Sequence, residues 1–311
     1  MGSLLTVGET PLRFTPPGSK QFVGSDEVSM SAVGTESNVA IAAANLGTNA
    51  RWLSKVPATQ LGKRVISELH RYGAKTDVTW SETGRLGIEF YQRASAPREA
   101  VIVHDRDGAA AASMTPGELS MDRVQAADAV FAAGSTAALS ETAVETIETA
   151  LRAGRANGGL SVFELDFRPR LWSPEDARQA LAKLLPEVDV LIANEDQLET
   201  VFERSGEYRE IAHGVASEWD FDLLAMTRGE YGAIAIQDSV FHECESVETE
   251  TVDPAGQHDA FAGAFIQQLL TDAPPDEALS YGVAAAAVCR TIPGPIPAID
   301  RSDVDRVSEE L

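Results

Sequence analysis

The sequence predicts an α/β fold in which helices cover both faces of a mostly parallel sheet. From Ala127 onward, short apolar segments alternate with longer segments of helical pattern, which is typical of successive β-α units. The apolar segments are short and aliphatic, as expected for strands buried on both faces of such a sheet. The 311 residues are enough for one large domain, or for a core with a small appendage.

Local signals place the individual elements. The helix predicted over 173–185 has Ser173 as its N-cap and Pro174 in its first position, and acidic residues occupy its first turn. Gly47 and Gly73 end two earlier helices. The predicted strands are 4–7, 51–56, 127–132, 160–165, 188–192, 223–227 and 233–236, and the predicted helices are 38–46, 61–72, 141–155, 173–185, 196–204, 258–270 and 278–289.

The composition is strongly acidic, and this makes some classes of binding partner unexpected. The formal net charge is -23, from 48 Asp and Glu against 25 Lys and Arg. Nucleic acids and anionic membranes are both bound by basic surfaces, so neither is an expected partner. The acidic residues are spread along the chain, and we interpret them as a solvated surface suited to high salt, where screening removes self-repulsion. An ordinary acidic cytosolic enzyme is the alternative interpretation.

Cysteine usage and hydropathy predict a cytoplasmic protein. Cys244 and Cys289 are far apart and do not have a metal-binding or redox spacing, so we expect free thiols in a reducing compartment. No apolar run reaches the length of a bilayer span, and the sequence shows no secretory signal.

The stretch from Thr251 to Phe265 carries the clearest chemical signal. A strand-like entry meets Pro254, and a turn of small residues then leads into an Ala- and Gly-rich helix. The start of a helix has unpaired N–H groups and the positive end of the helix dipole, so it can hold an anion such as a phosphate. Gly256 allows a close backbone approach. Asp259, in the first turn, could deprotonate an attacking hydroxyl, although a carboxylate there could equally well only cap the helix.

This stretch resembles the second signature of the ribokinase (PfkB) family of sugar kinases, Asp-Thr-x-Gly-Ala-Gly-Asp. The resemblance implies a catalytic base at Asp259 and an anion hole formed around Gly256, Gln257 and His258. Gln257 and His258 stand where the family usually has Ala and Gly. His258 could add a phosphate contact, mark reduced activity or pack on the surface.

The resemblance extends over nearly the whole chain. The segment 34–40 and the following Asn45-Leu46-Gly47 resemble the first signature of the family, Gly-Gly-x-x-x-Asn-x-Ala…Leu-Gly. It implies that Gly34 and Asn38 hold sugar hydroxyls. An Asn before an Ala-rich helix could also be no more than an N-cap.

Two further segments resemble the nucleotide side of the family. Asn194-Glu195-Asp196-Gln197 is similar to its Asn-x-x-Glu motif near the metal and phosphates, with Gln197 in place of the Glu. This implies that Asn194 lies at the nucleotide, and that Asn194 or Glu195 carries Mg²⁺ through water. Thr227 and Gly229 resemble a turn beside ATP and would act with Gly256. The alternatives are an acidic helix start and an ordinary strand-ending turn.

Other segments resemble the family branch that phosphorylates 2-keto-3-deoxygluconate, a sugar acid. Arg106 and Arg168 match positions at which that branch holds the substrate carboxylate, and a guanidinium suits bidentate recognition of a carboxylate. Glu89 and His104 would also contact the substrate, although Tyr is expected at both positions. Each Arg could instead be a surface ion-pair partner, which is common on an acidic protein.

The resemblance therefore implies one ribokinase-like domain over 1–311, with a three-layer α/β/α core and a small β lid from about 11–34 and 84–107. Locally, 11–34 has no regular pattern, whereas 87–93 and 100–104 alternate like a hairpin. The expected activity is ATP- and Mg²⁺-dependent phosphorylation of a sugar acid, in a homo-oligomer formed through the lid. The alternatives are a kinase of a neutral sugar, a phosphofructose or a nucleoside, and a sugar- or nucleotide-binding protein with little catalysis.

Overall fold

A computed structural model describes residues 2–94 and 97–311, so residues 95 and 96 of the predicted lid segment lie outside the described residues, as does residue 1. The strands are β1 Ser3–Val7, β2 Leu12–Thr15, β3 Ser29–Ala32, β4 Asn49–Pro57, β5 Lys75–Ser81, β6 Ile88–Gln92, β7 Val101–Asp105, β8 Ala129–Ala133, β9 Leu160–Glu164, β10 Val190–Asn194, β11 Leu223–Thr227, β12 Ala233–Gln237 and β13 Val240–Cys244. The helices are α1 Thr35–Asn45, α2 Gln60–Arg71, α3 Met121–Gln125, α4 Gly134–Ala137, α5 Glu141–Arg155, α6 Pro174–Leu184, α7 Glu195–Phe202, α8 Tyr208–Trp219, α9 Gln257–Leu269, α10 Pro275–Arg290 and α11 Arg301–Ser308.

The predicted mostly parallel sheet is confirmed. Over residues 2–94 and 97–311, nine strands form it in the order β13-β12-β11-β10-β9-β8-β1-β4-β5. The strands from β11 to β5 pair in parallel, and β12 and β13 continue the sheet antiparallel. Since parallel strands present their carboxyl ends at one edge, loops that follow β8, β9, β10 and β11 meet there, where ligands bind in folds of this kind.

Helices cover both faces of the large sheet. Aliphatic residues of α5, α6, α7 and α8 pack on one face, and those of α1, α2, α9 and α10 pack on the other. Small residues allow the closest approach between α1 and α9: a Cβ placed on Gly263 would lie 2.7 Å from the Cβ of Ala42. This tight contact packs the middle of α9 against α1.

A second, smaller sheet stands apart from the first. In the described ranges it contains four strands in the order β3-β2-β6-β7. The prediction of an irregular segment over 11–34 was therefore wrong in part, because Leu12–Thr15 and Ser29–Ala32 gain strand structure by pairing with each other and with β6. Phe90, Val101 and Val103 leave an apolar face of this sheet exposed.

No helix in the described part of the chain has the length and apolar character needed to cross a bilayer. Cys244 and Cys289 are both buried free thiols.

Candidate active site

A cleft of about 360 Å³ lies between the carboxyl edge of the large sheet and the small sheet. Its volume is in the range of small-molecule sites. Residues predicted for the site that line it are Gly34, Asn38, Arg106, Arg168, Asn194, Thr227, Gly256, Gln257, His258 and Asp259. The structure thus gathers residues from both resembling signatures, which are more than 200 positions apart, around one cavity.

Asp259 and Asn38 are in direct contact at the floor of the cleft. Asn38 Nδ2 donates to Asp259 Oδ2 at 2.6 Å and to the carbonyl oxygen of Pro295 at 3.1 Å. Burial raises the pKa of Asp259 to about 7; the bond from Asn38 opposes this rise, and the charge of Asp166 adds to it. A carboxyl with a pKa near neutrality can accept a proton at working pH. Asn38 was predicted to hold a sugar hydroxyl, and the structure also makes it the partner of Asp259.

Gly256 precedes α9 in a backbone conformation that requires glycine. Its φ is +81°, and an added Cβ would lie 2.8 Å from the carbonyl oxygen of Pro295. The turn therefore brings the first N–H groups of α9 to the cleft without a side chain in the way.

We expect Gly256→Ala to lower the free energy of unfolding by about 1–3 kcal/mol, since both the left-handed backbone and the contact with Pro295 penalise a Cβ. Urea denaturation of the two proteins measures this loss. Gly214→Ala is the matched control, because Gly214 lies within α8 with nothing within 4 Å of an added Cβ. That change should leave stability unaltered or raise it. Equal behaviour of the two variants would show that the turn does not need glycine.

Burial raises the pKa of two carboxyl groups, one in the cleft lining and one behind it. Burial raises the pKa of Glu36 to about 8, and its Oε1 accepts from the backbone N–H of Ala133 at 3.2 Å. Burial, together with the charges of Asp166 and Asp259, raises the pKa of Glu164 well above its ordinary value. In both groups burial favours the neutral form of the carboxyl over the ionised form.

Glu89 is the centre of a buried ionic cluster on the small sheet. Its Oε1 accepts from Arg13 Nε at 2.5 Å, and its Oε2 lies 3.0 Å from His104 Nδ1, 3.4 Å from Arg106 Nη2 and 3.8 Å from Arg168 Nη1. Burial alone would raise the pKa of Glu89, but the hydrogen bond from His104 and the charges of Arg13 and Arg168 outweigh it and hold this pKa below its ordinary range. Glu89 is therefore ionised and positions the cationic groups around it.

The prediction that Glu89 and His104 line the substrate site needs correction. Neither belongs to the cavity lining, and their side chains are 1% and 5% exposed. The register of β6 and β7 pairs the two residues with each other, and the arginines lie between them and the cleft. They can act on a ligand only through the groups that they position.

Arg168 follows β9 and is fixed by several partners. Its Nε donates to Asp166 Oδ1 at 3.0 Å, and its Nη2 donates to Thr35 Oγ1 at 3.1 Å. Asp166 has a φ of +33°, an uncommon conformation for a residue other than glycine. Such backbone strain concentrates at functional sites, where the surrounding contacts enforce it.

Arg13 and Tyr91 also line the cleft, and no motif indicated either. They come from β2 and β6, where the parallel register places Arg13 beside Glu89. Their signal in the sequence is weak, because four residues of β2 cannot reveal which face meets the cleft.

A smaller cavity of about 50 Å³ adjoins the cleft on the other side of the start of α9. Gly229 and Arg290 line it, and Thr227, Gln257 and His258 line both cavities. His258 is exposed at their junction. The start of α9 therefore lies between the two cavities. Two ligands, one in each cavity, could meet at this point, and one long ligand could extend through both.

The predicted metal-binding positions have protein partners in the structure. Asn194 Oδ1 accepts from the backbone N–H of Gln197 at 2.8 Å as the cap of α7, and Glu195 Oε2 pairs with Arg228 Nε at 3.0 Å. Across the described ranges, no cluster of three His, Cys, Asp or Glu side chains could enclose a metal ion. Mg²⁺ in nucleotide sites is usually held by one or two carboxylates besides phosphates and water. Glu195 lines neither of the two cavities, so it would have to leave Arg228 to reach a hydrated, phosphate-held ion.

One ion pair links the small sheet to the loop before α9. Arg93 Nη2 lies 2.5 Å from Asp253 Oδ2, and the same oxygen accepts from the backbone N–H of Gly294 at 3.2 Å. Asp253 Oδ1 accepts from the N–H of Ala255 at 3.1 Å. The position of the small sheet is therefore tied to the turn that forms the start of α9.

Comparison with known proteins adds independent information. Residues 1–301 match the model of the pfkB family carbohydrate kinases. A 2-dehydro-3-deoxygalactonokinase of Haloferax volcanii is 40% identical over 304 residues, which cover 98% of this chain and 96% of the relative. The crystal structure of a 2-dehydro-3-deoxygluconokinase from Thermotoga maritima has a TM-score of 0.93 and 26% identity, with 99% of each chain covered. The crystal structure of an E. coli protein described as a ribokinase II, in complex with ATP and Mg²⁺, has a TM-score of 0.89 and 19% identity, with full coverage of both chains. The predicted ribokinase-like fold is confirmed.

Proposed function

The chain belongs to the pfkB family of carbohydrate kinases, and from this premise we propose that it transfers the γ-phosphoryl group of ATP to a hydroxyl of a 2-keto-3-deoxy sugar acid. The observation that carries the proposal is the contact between Asp259 and Asn38 at the start of α9, in a cleft that three arginines line among the described residues. Two of the proteins compared above, from Haloferax volcanii and Thermotoga maritima, are named as kinases of substrates of this class.

The chemistry follows from what each group can do. Asp259 accepts the proton of the sugar hydroxyl as its oxygen attacks the γ-phosphorus, and ADP leaves on the opposite side. The first N–H groups of α9, around Gly256, Gln257 and His258, stabilise the charge on the transferring group. Asn38 keeps the carboxylate of Asp259 aimed at the hydroxyl, and its buried Oδ1, which has no partner within the described residues, can accept from the sugar.

ATP use follows from the family, and we assign the nucleotide to the smaller cavity. Thr227 and Gly229 would lie along the nucleotide, and Asn194 would lie near its phosphates. Glu195 would hold Mg²⁺ through water, and such an ion would neutralise phosphate charge.

The small sheet is proposed to act as a lid over the cleft. Closure would exclude water and limit hydrolysis of ATP. Its exposed apolar face, with Phe90, Val101 and Val103, suits burial against a second copy of the chain. The net charge of -23 suits a cytoplasm of high salt.

A panel of acceptors tests the substrate class. We expect ATP turnover in molar KCl with 2-keto-3-deoxy sugar acids, and much lower kcat/KM with fructose and nucleosides, because these neutral acceptors leave the arginines without a partner. Phosphofructose, which carries a phosphate in place of a carboxylate, tests whether any anionic acceptor is sufficient, and a preference for it would discard the sugar acid. Coupled detection of ADP measures the turnover, and product mass confirms the transfer to the acceptor. Preference for a neutral acceptor would keep the kinase and discard the sugar acid. Binding without turnover would favour a protein with little catalysis.

A further inference from the structure

Among the described residues, three arginines line the cleft, and two of them have terminal nitrogens already bound to the protein. Arg106 Nη1 pairs with Glu9, and its Nη2 lies 3.4 Å from both Glu89 Oε2 and His104 Nδ1. Arg168 Nη2 contacts Asp166 and Thr35. A guanidinium in this state must give up protein contacts before its fork can bind a ligand.

Arg13 differs from both. In the described part of the chain its hydrogen bond is made by Nε to Glu89 Oε1, at 2.5 Å, and its terminal nitrogens have no protein acceptor. Its guanidinium carbon lies 5.0 Å from the ring centre of Tyr91, which holds the plane of the fork by a cation–π contact. The side chain is 10% exposed and lines the cleft. The Nε and the plane of the Arg13 guanidinium are thus held by Glu89 and Tyr91, whereas its two terminal nitrogens have no acceptor within the described residues.

We infer that Arg13 is the residue that determines specificity for an acidic sugar, and that its two terminal nitrogens bind the substrate carboxylate as a bidentate fork. This inference rests on the proposed function. It gives to Arg13 the carboxylate contact that the family resemblance implies for Arg106 and Arg168. A fork whose plane and Nε are already fixed loses less conformational entropy when it binds a carboxylate. Arg106 and Arg168 supply positive charge and hold the cluster. Arg13 lies on the small sheet and Asp259 on α9, so a ligand held at both ends spans the cleft.

The test compares a 2-keto-3-deoxy sugar acid with its methyl ester, which removes the charge and keeps the chain. For Arg13→Gln we expect kcat/KM to fall ~10–100-fold with the acid, because the variant loses a hydrogen-bonded charge pair with the substrate. With the ester, kcat/KM should change little. Calorimetric binding of the acid in the absence of ATP should weaken by the same factor. Arg13→Lys keeps the positive charge beside Glu89 but lacks the planar fork. It replaces Arg13→Gln if that variant does not fold, and its kcat/KM with the acid should also decrease. Arg85→Ala is the control, because Arg85 pairs with Asp105 on the same sheet and does not line the main cleft.

The outcomes separate the two proposals. If wild type prefers the acid and both Arg13 variants keep that preference, the assignment of Arg13 is wrong and the sugar-acid kinase stands. An equal loss with acid and ester also overturns the assignment, since Arg13 would then act on the lid or on the phosphates. If wild type does not prefer the acid to the ester, the sugar-acid class fails and the Arg13 inference fails with it.

Discussion

Asp259→Asn is expected to reduce kcat by about 10²–10⁴-fold, the usual contribution of a general base. The amide keeps the size of the side chain and the contact with Asn38, but it cannot accept the hydroxyl proton. Steady-state kinetics with the preferred acceptor measures the loss, and calorimetric ATP binding should remain close to that of wild type. An Asp259→Asn protein with wild-type turnover would show that this carboxylate is not the base.

The pH profile gives the same prediction a second readout. Since burial raises the pKa of Asp259 to about 7, the base form is lost as pH falls through that value. We expect kcat/KM of wild type to decline about tenfold per pH unit below this point and to level off above it. The acid limb should be absent from the residual activity of Asp259→Asn. Glu218→Gln is the control, because Glu218 is exposed, pairs with Arg204 and does not line the cleft, so that variant should keep the acid limb.

Glu89→Gln is expected to lower the free energy of unfolding by about 3–5 kcal/mol, since it leaves buried cationic groups without their shared counter-charge. Urea denaturation at fixed salt measures the loss at pH 7. The folded pKa of Glu89 lies below its ordinary value of 4.5, so its contribution is present above that pH and is lost only as the pH falls through the lowered pKa. The difference between the two proteins should therefore shrink only in acid.

An exposed ion pair provides the control for this loss. Glu218 pairs with Arg204, and both side chains are exposed. Glu218→Gln should change stability by less than about 1 kcal/mol. If the Glu89 and Glu218 variants lose similar free energy, the buried cluster does not stabilise the fold through its charge.

The large sheet could be predicted from the sequence because its elements carry local signals. The helix over 141–155 was predicted with the bounds of α5, and Ser173 is the N-cap of α6 as expected. Strand β2 was not predicted within 11–34, because four residues gain strand structure only from partners in β3 and β6. The edge strands β5 and β13 and the helices α8 and α11 were also not predicted.

The same distinction between local and distant signals applies to the site. Asp259 and Asn38 stand in motifs that the sequence displays, and the structure places them 2.6 Å apart. A motif does not reveal which side chain from another strand will contact a given residue of the site. Arg13 meets Glu89 because two short strands pair in one register, and a shift by one residue would turn Arg13 to the other face.

The protonated Glu36 has a consequence for the whole chain. Its pKa is about 8 in the folded protein, from an ordinary value of 4.5, so between these values the chain takes up a proton as it folds. Because the fold holds this group neutral, its stabilising effect is complete below pH 4.5. The effect decreases as the pH rises from 4.5 and is lost once the pH has passed through about 8. A protein with 48 acidic residues would ordinarily be thought of as vulnerable to acid. Here, the buried Glu36 has the opposite pH dependence: it ionises above about pH 8, and the folded chain then carries a negative charge in its interior.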